Sequence, residues 1–160
     1  MIILGIDPGL ASTGYGVINT KKNMKHIEHG VISTDPGKTV GERLKKINRE
    51  MKRLINKYKP DVLAIEKLYF FKNQKTAVSV FEAKGVVLLT ASRKKIPVRE
   101  FTPLQVKLAM VGYGRASKGQ VQSMVKRILN LKKIPKPDDA ADGLAIALCC
   151  KRSLKNKKSL

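Results

Sequence analysis

Short apolar runs separated by turn residues open the chain. MIILGI, residues 1–6, predicts a buried strand, and GYGVIN, 14–19, predicts a second, with PGLAST as the turn between them. HIEHGVIS, 26–33, alternates roughly as a third strand, so the first three form an antiparallel meander. The period then changes. Val40, Leu44, Ile47, Met51, Leu54 and Tyr58 recur at helical spacing and predict an amphipathic helix over 39–58, ended by Pro60. DVLAIE, 61–66, is a fourth strand, followed by the loop KLYFFKNQK and a helix over roughly 75–93. VREF, 98–101, is a fifth strand. A helix starts at Pro103, a favourable first-turn residue. VGYGRASKG reads as a glycine-rich basic loop, 120–131 as a helix, KKIPKP as a linker, and the last helix runs from near Asp138 to about Cys150. A meander followed by alternating helices and strands predicts an α/β fold with a five-stranded mixed sheet flanked by helices.

Composition narrows the partners. The chain has 160 residues and 42% apolar content, which fits one domain with a real core. That domain is expected over 1–150, with a fraying basic tail, KRSLKNKKSL, over 151–160. Lys and Arg number 33 against 12 Asp and Glu, a formal charge of +21. Such a surface seeks a polyanion, with nucleic acid ahead of an anionic membrane. The apolar runs are too short to span a bilayer, and residues 1–6 lack the pattern of a signal peptide. The adjacent Cys149 and Cys150 cannot staple a loop and read as reduced, so a cytoplasmic protein is expected.

Acidic residues adjoin apolar segments at three element ends. Asp7 closes the first strand, Glu66 closes the fourth, and Asp139 and Asp142 open the last helix in PDDAADGLAIA. A buried carboxylate is costly without a partner, and a hard divalent cation such as Mg²⁺ supplies one. Asp139 and Asp142 are three apart and share a helix face, while Asp138 suits the N-cap. Such a set can serve phosphodiester hydrolysis with one or two ions. The competing reading is that the aspartates only favour the positive end of the helix, and that Asp7 before Pro8 and Gly9 is ordinary turn chemistry. His26 and His29 lie in the meander and read as plain strand residues, and no serine-nucleophile motif occurs.

Four blocks, GIDPGLASTGYGV, AIEKLYFFKNQKTA, GYGRASKGQVQ and PDDAADGLAIA, occur in the order and spacing of a known family. Through them, residues 1–150 closely resemble the RuvC family of bacterial Holliday junction resolvases, the crossover junction endodeoxyribonucleases. The resemblance implies a ribonuclease H-like fold and a homodimer that nicks two opposing strands of a four-way DNA junction, with the RuvA–RuvB branch-migration proteins as partners. It also implies Mg²⁺, with Mn²⁺ as substitute, at two ions per site. The family's acidic tetrad lands on Asp7, Glu66, Asp139 and Asp142, and its two active-region lysines on Lys107 and Lys118. Tyr69 stands where the family usually has Phe, and Phe81-Glu82 replaces a more usual Gly-Gln pair on the helix expected at the dimer interface.

Lys107 and Lys118 are read as phosphate-facing groups, Lys118 in a flexible stretch beside Gly119, with Arg115 joining them. Contacts of that kind position DNA and carry little sequence information. Of Tyr69, Phe70 and Phe71, the first is expected to be exposed and to stack on a base near the junction centre, and one of the others to be packed. Three other classes stay open. A sugar-kinase-like ATPase would need a second lobe that 160 residues do not supply. A non-catalytic junction binder would not need all four carboxylates. An RNA-directed nuclease of the same fold fits the charge as well.

Overall fold

The computed structural model describes residues 1–21, 24–67 and 74–156, the side chains of 74–76 and 155–156 excepted. The chain runs β1 (Ile2–Asp7), β2 (Ser12–Asn19), β3 (Lys25–Ser33), α1 (Val40–Tyr58), β4 (Val62–Glu66), α2 (Gln74–Arg93), β5 (Val98–Phe101), α3 (Pro103–Val111), α4 (Lys118–Ile128) and α5 (Asp138–Asn156). The five strands make one sheet in the order β3-β2-β1-β4-β5. The β1–β2 and β2–β3 pairs are antiparallel, and the β1–β4 and β4–β5 pairs parallel, which is the expected mixed sheet. In β3 the expected alternation is interrupted by a register shift opposite Val17 and Ile18.

β1 and β4 read as unbroken apolar runs because helices cover both faces of the sheet. Alternation along each strand sorts their side chains between two cores. Leu4, Ile6, Leu63 and Ile65 pack with Ile47, Met51 and Leu54 of α1 and Val87 of α2. Ile3, Val62 and Ala64 pack on the opposite side with Val106, Val125 and Leu144 of α3, α4 and α5. α5 is buried almost all round from Ala140 to Cys150, and so serves as the centre of that layer. It continues past the expected end to Asn156, with Leu154 packed against the core. Burial pushes the Cys149 thiol up to about 12 and that of Cys150 up to about 11, so both are inert thiols.

Each of α1, α3 and α4 starts with a capping box. Thr39 with Glu42, Thr102 with Gln105 and Ser117 with Gln120 exchange reciprocal side chain–backbone bonds. The box at Ser117 starts α4 at Lys118 rather than 120, so Lys118 is a fixed first-turn residue and not part of a flexible loop.

Candidate active site

The same alternation that divides the cores sets the direction of the carboxylates. Asp7 has the parity of Ile3, and Glu66 that of Val62 and Ala64, so both face the α5 layer. Ile6 pairs with Ile65 as the last registered pair of β1 and β4, which puts Asp7 and Glu66 on neighbouring strands at the same end of the sheet. On the other side, Asp7 pairs with Gly14 of β2.

Glycines bring in the remaining two carboxylates. A Cβ on Gly14 would lie 1.9 Å from the Asp139 carbonyl oxygen, and one on Gly5 would lie 2.1 Å from that of Gly143. A Cβ on Gly16 would lie 2.5 Å from the Leu144 amide nitrogen. Without side chains there, α5 lies directly on β1 and β2, with its first turn over Asp7. One carboxylate oxygen from each of Asp7, Asp139 and Asp142 falls within 4.8 Å of the others. Glu66 stands outside that triplet, but its charge acts on Asp7. It lines a cleft of about 210 Å³ with Asp142, Lys107, Lys118 and apolar residues of α3, α4 and α5.

Asp138 does not cap α5. The Pro137 carbonyl accepts from the Ala140 and Ala141 amides at 3.0 and 3.4 Å, so Pro137 takes the cap position. Asp138 is already the first helical residue, and its carboxylate accepts from Lys136 Nζ at 2.7 Å. It is not one of the triplet of Asp7, Asp139 and Asp142.

Burial first, and then the charges of Glu66, Asp142 and Asp139, push the Asp7 carboxyl up to about 8. Burial and Asp142 raise Glu66, and burial raises Asp142 against the opposing pull of Lys118. Among the described residues no hydrogen bond reaches the Asp7 carboxylate. Lys118 Nζ lies 3.0 Å from Asp142 and 3.8 Å from Asp138. Burial alone would lower the Lys118 pKa, but the Asp142 hydrogen bond and the surrounding carboxylates raise it, so the side chain is held as a cation. Convergent, under-neutralised carboxylate oxygens open to a cleft are a donor set that fits a hard divalent cation.

Arg115 is exposed in the turn between α3 and α4 and does not line the cleft. Tyr69, Phe70 and Phe71 lie outside the described residues. The two histidines bond each other on the edge strand β3, Nε2 of His26 to Nδ1 of His29 at 2.8 Å, and β2 separates them from β1. One charged residue was not anticipated. Lys84, on the inner face of α2, is only 8% exposed and donates to Glu100 of β5. Its charge stabilises ionised Glu66 from behind the sheet. Its signal in the sequence was a lysine between Ala83 and Val87 at core-facing spacing.

The model of the crossover junction endodeoxyribonuclease RuvC family matches residues 3–150. The chain belongs to the RuvC family. Among its relatives, the RuvC of Alkaliphilus oremlandii is 55% identical over 150 residues, covering 93% of this chain and 92% of the relative. That of Petrotoga mobilis is 52% identical, covering 98% of each. The solved RuvC of Thermus thermophilus superposes with a TM-score of 0.91 at 33% identity, over 98% of this chain and 97% of that one. The same RuvC in complex with a Holliday junction substrate gives 0.93 at 34%, over 98% and 96%. The sheet order and helix layers of this RuvC chain are thus those of a ribonuclease H-like fold.

Proposed function

We infer that this RuvC-family chain is a metal-dependent endonuclease that resolves Holliday junctions by paired, symmetric nicks in opposing DNA strands during recombination and repair. The observation that carries the reading is the convergence of Asp7, Asp139 and Asp142, with Glu66 beside them, at one end of the sheet in a chain of this family. Asp7, Asp139, Asp142 and Glu66 would hold Mg²⁺, with Mn²⁺ as substitute, at two ions per site. Bound there, the ions would activate a water at neutral pH and stabilise the oxygens of an in-line displacement. The chain's own residues do the rest. Lys118 and Lys107 flank the cleft and hold the scissile phosphate, offsetting its charge. Lys118 is fixed by the Ser117 cap, so the approach of the strand is fixed with it. Arg115 and the ring of Tyr69 are further DNA contacts in this reading. The testing experiment offers the protein a synthetic four-way junction, a matched duplex and an RNA–DNA hybrid, in Mg²⁺ and in EDTA. Cleavage of the junction alone, in Mg²⁺ alone, is expected; preference for the hybrid would make it an RNA-directed nuclease.

Lys118→Ala is expected to impair cleavage at saturating protein more than it impairs junction binding, since many other cations share the nonspecific load. Binding stays steeply salt-dependent in the variant. Equal fractional losses in both would make Lys118 a general DNA contact.

Two nicks require two sites, and each chain supplies one, so a two-fold dimer is the economical assembly. The outer face of α2 supports it. Val78, Phe81 and Leu89 are exposed there, whereas Val86 is partly buried against the core. Light scattering at micromolar protein and moderate salt should give about twice the 17.7 kDa chain mass. A monomer that still nicks both strands symmetrically would remove the dimer from the mechanism. No helix among the described residues is long and apolar enough to cross a membrane. Action on chromosomal DNA in the cytoplasm, alongside the RuvA–RuvB branch-migration proteins, completes the reading.

A further inference from the structure

The outer face of α1 is not needed by the fold or by the cleft. Ile47, Met51, Leu54 and Ile55 form its buried stripe, and Thr39 with Glu42 caps it. The opposite face carries Lys45, Lys46, Arg49, Lys52, Arg53 and Lys57 within one broad arc, at spacings of three and four. Acidic groups on and around this arc are occupied. Glu42 is bound up in the capping box, Glu50 pairs with Arg49 and Arg53, and Glu28 pairs with Lys57. Among the described residues, Lys45, Lys46 and Lys52 have no carboxylate partner within salt-bridge distance. Like charges one turn apart weaken a helix, and a surface serving solubility alone mixes its signs. This arc repels itself unless something anionic lies along it.

α1 lies on the face of the sheet opposite the cleft, but its N-terminal turn is tied to the end of the sheet that carries the carboxylates. Arg43 Nε donates to the Thr34 hydroxyl at 2.8 Å. That hydroxyl donates to the Leu10 carbonyl at 2.5 Å, and the Thr34 amide donates to the Ala11 carbonyl at 3.0 Å. Leu10 and Ala11 belong to the turn that directly follows Asp7. α1 therefore starts at the carboxylate end of the sheet and runs back toward the start of β4. Nineteen residues make it about 28 Å long. That length matches about eight base pairs of duplex.

We propose that the basic face of α1 is a second DNA surface, which takes the phosphate backbone of a double-helical junction arm as it leaves the cleft. The proposal rests on the reading that this chain acts on DNA junctions, and it adds where an arm goes. Recognition is by charge and length, without base readout.

The test compares the full-length parent with the K45Q/K46Q/R49Q/K52Q variant. A second variant, K126Q/R127Q/K132Q/K133Q, removes the same charge from α4 and the segment after it. Junction affinity is measured in EDTA across a salt series, on junctions with arms of about 20 base pairs and on hairpin-closed junctions with arms of about five. Melting and circular dichroism confirm that both variants fold. The α1 variant is expected to bind long-arm junctions at least tenfold more weakly at 0.1 M salt. Its log–log salt slope should be shallower by about 3.6, near 0.9 for each of four lost contacts. On short arms it should bind like the parent. An unchanged slope on long arms overturns the proposal. So does an equal loss on short arms, or an equal loss in the second variant, either of which would mean a diffuse effect of net charge. Because affinity is read in EDTA, failure here is distinct from failure of the nuclease reading, which is judged by parent cleavage in Mg²⁺.

Discussion

Asp7→Asn should abolish junction cleavage in Mg²⁺, leave junction binding largely intact, and make the metal-free protein more stable at alkaline pH. The charge of the molecule barely changes, so nonspecific affinity for DNA is retained. The loss in cleavage should be at least about 100-fold, or about 2.7 kcal/mol of barrier. A variant within about tenfold of the parent would remove Asp7 from the site. The stability effect follows from the raised pKa. In the folded, metal-free chain the Asp7 carboxyl titrates at about 8, and in the unfolded chain near 3.8. Between those values the native state holds a proton that the unfolded state has released. Stability is therefore greatest below about pH 4 for this group and falls as pH rises through 8. A shift of this size makes the charged form costly to the fold by several kcal/mol. In EDTA the parent should lose melting temperature between pH 5 and 8.5, and Asp7→Asn should lose less. At pH 8.5 the variant should melt roughly 5–10 °C above the parent. Mg²⁺ should raise the parent's melting temperature at pH 8.5 and have little effect on the variant. Parallel pH curves for the two proteins would contradict the buried, charge-crowded environment assigned to Asp7. Asp142→Asn should lose cleavage likewise. Asp138→Asn should retain it, because Asp138 is engaged by Lys136 outside the triplet.

Gly14→Ala should be as damaging to the site as the loss of a carboxylate, although it removes no functional atom. The added methyl would meet the carbonyl oxygen of Asp139 at 1.9 Å and its carbonyl carbon at 2.4 Å. Backbone must yield, not the flexible end of a side chain. α5 cannot retreat as a unit, since Gly5 and Gly16 hold it against the sheet further along. The first turn therefore has to lift, displacing Asp139 relative to Asp142 in the next turn. Overpacking of this kind costs about 1–3 kcal/mol and sometimes more. The melting temperature should fall by about 2–12 °C in a chain of this size. The stabilisation by Mg²⁺ should shrink at the same time. Gly41→Ala is the control, because a Cβ there meets nothing within 4 Å. It should leave both quantities unchanged or raise stability by up to about 1 kcal/mol. A Gly14→Ala protein with parental melting temperature and Mg²⁺ response would show that the close approach does not set the site.

Where apolar period and chemistry coincide, the sequence is readable. Asp7 and Glu66 end strands whose doubly buried runs leave little choice of element, and strand parity then directs both to one layer. Asp139 and Asp142 are legible because their spacing is local to one helix. α4 starts two residues before the position that the glycine-rich pattern predicts, because Ser117 and Gln120 form a capping box. Asp138 was assigned the cap by residue type, and the cap went to Pro137, whose carbonyl faces the first free amides. The last turn of α5 is helical because Leu154 finds the core, which no local pattern reports. The glycines of β1 and β2 are not legible, and the buried Lys84 shows only as a lysine at core-facing spacing with no partner in view. Their role depends on what lies across the layer from them, and a single chain read residue by residue carries no record of that neighbour.

The burial of α5 has a consequence for the substrate. Its first two turns carry Asp139 and Asp142, and the rest of the helix is clamped between sheet and outer helices. Moving those carboxylates means disrupting the centre of a core, so the receiving geometry is stiff. The compliance needed to seat a phosphodiester must then come from the nucleic acid. Four-way junctions are already bent and locally unstacked at the crossover, and linear duplex would have to be deformed at a cost of several kcal/mol. A stiff acidic site thus discriminates by what it refuses to accommodate, and sequence steps that kink easily at the exchange point should be cut fastest.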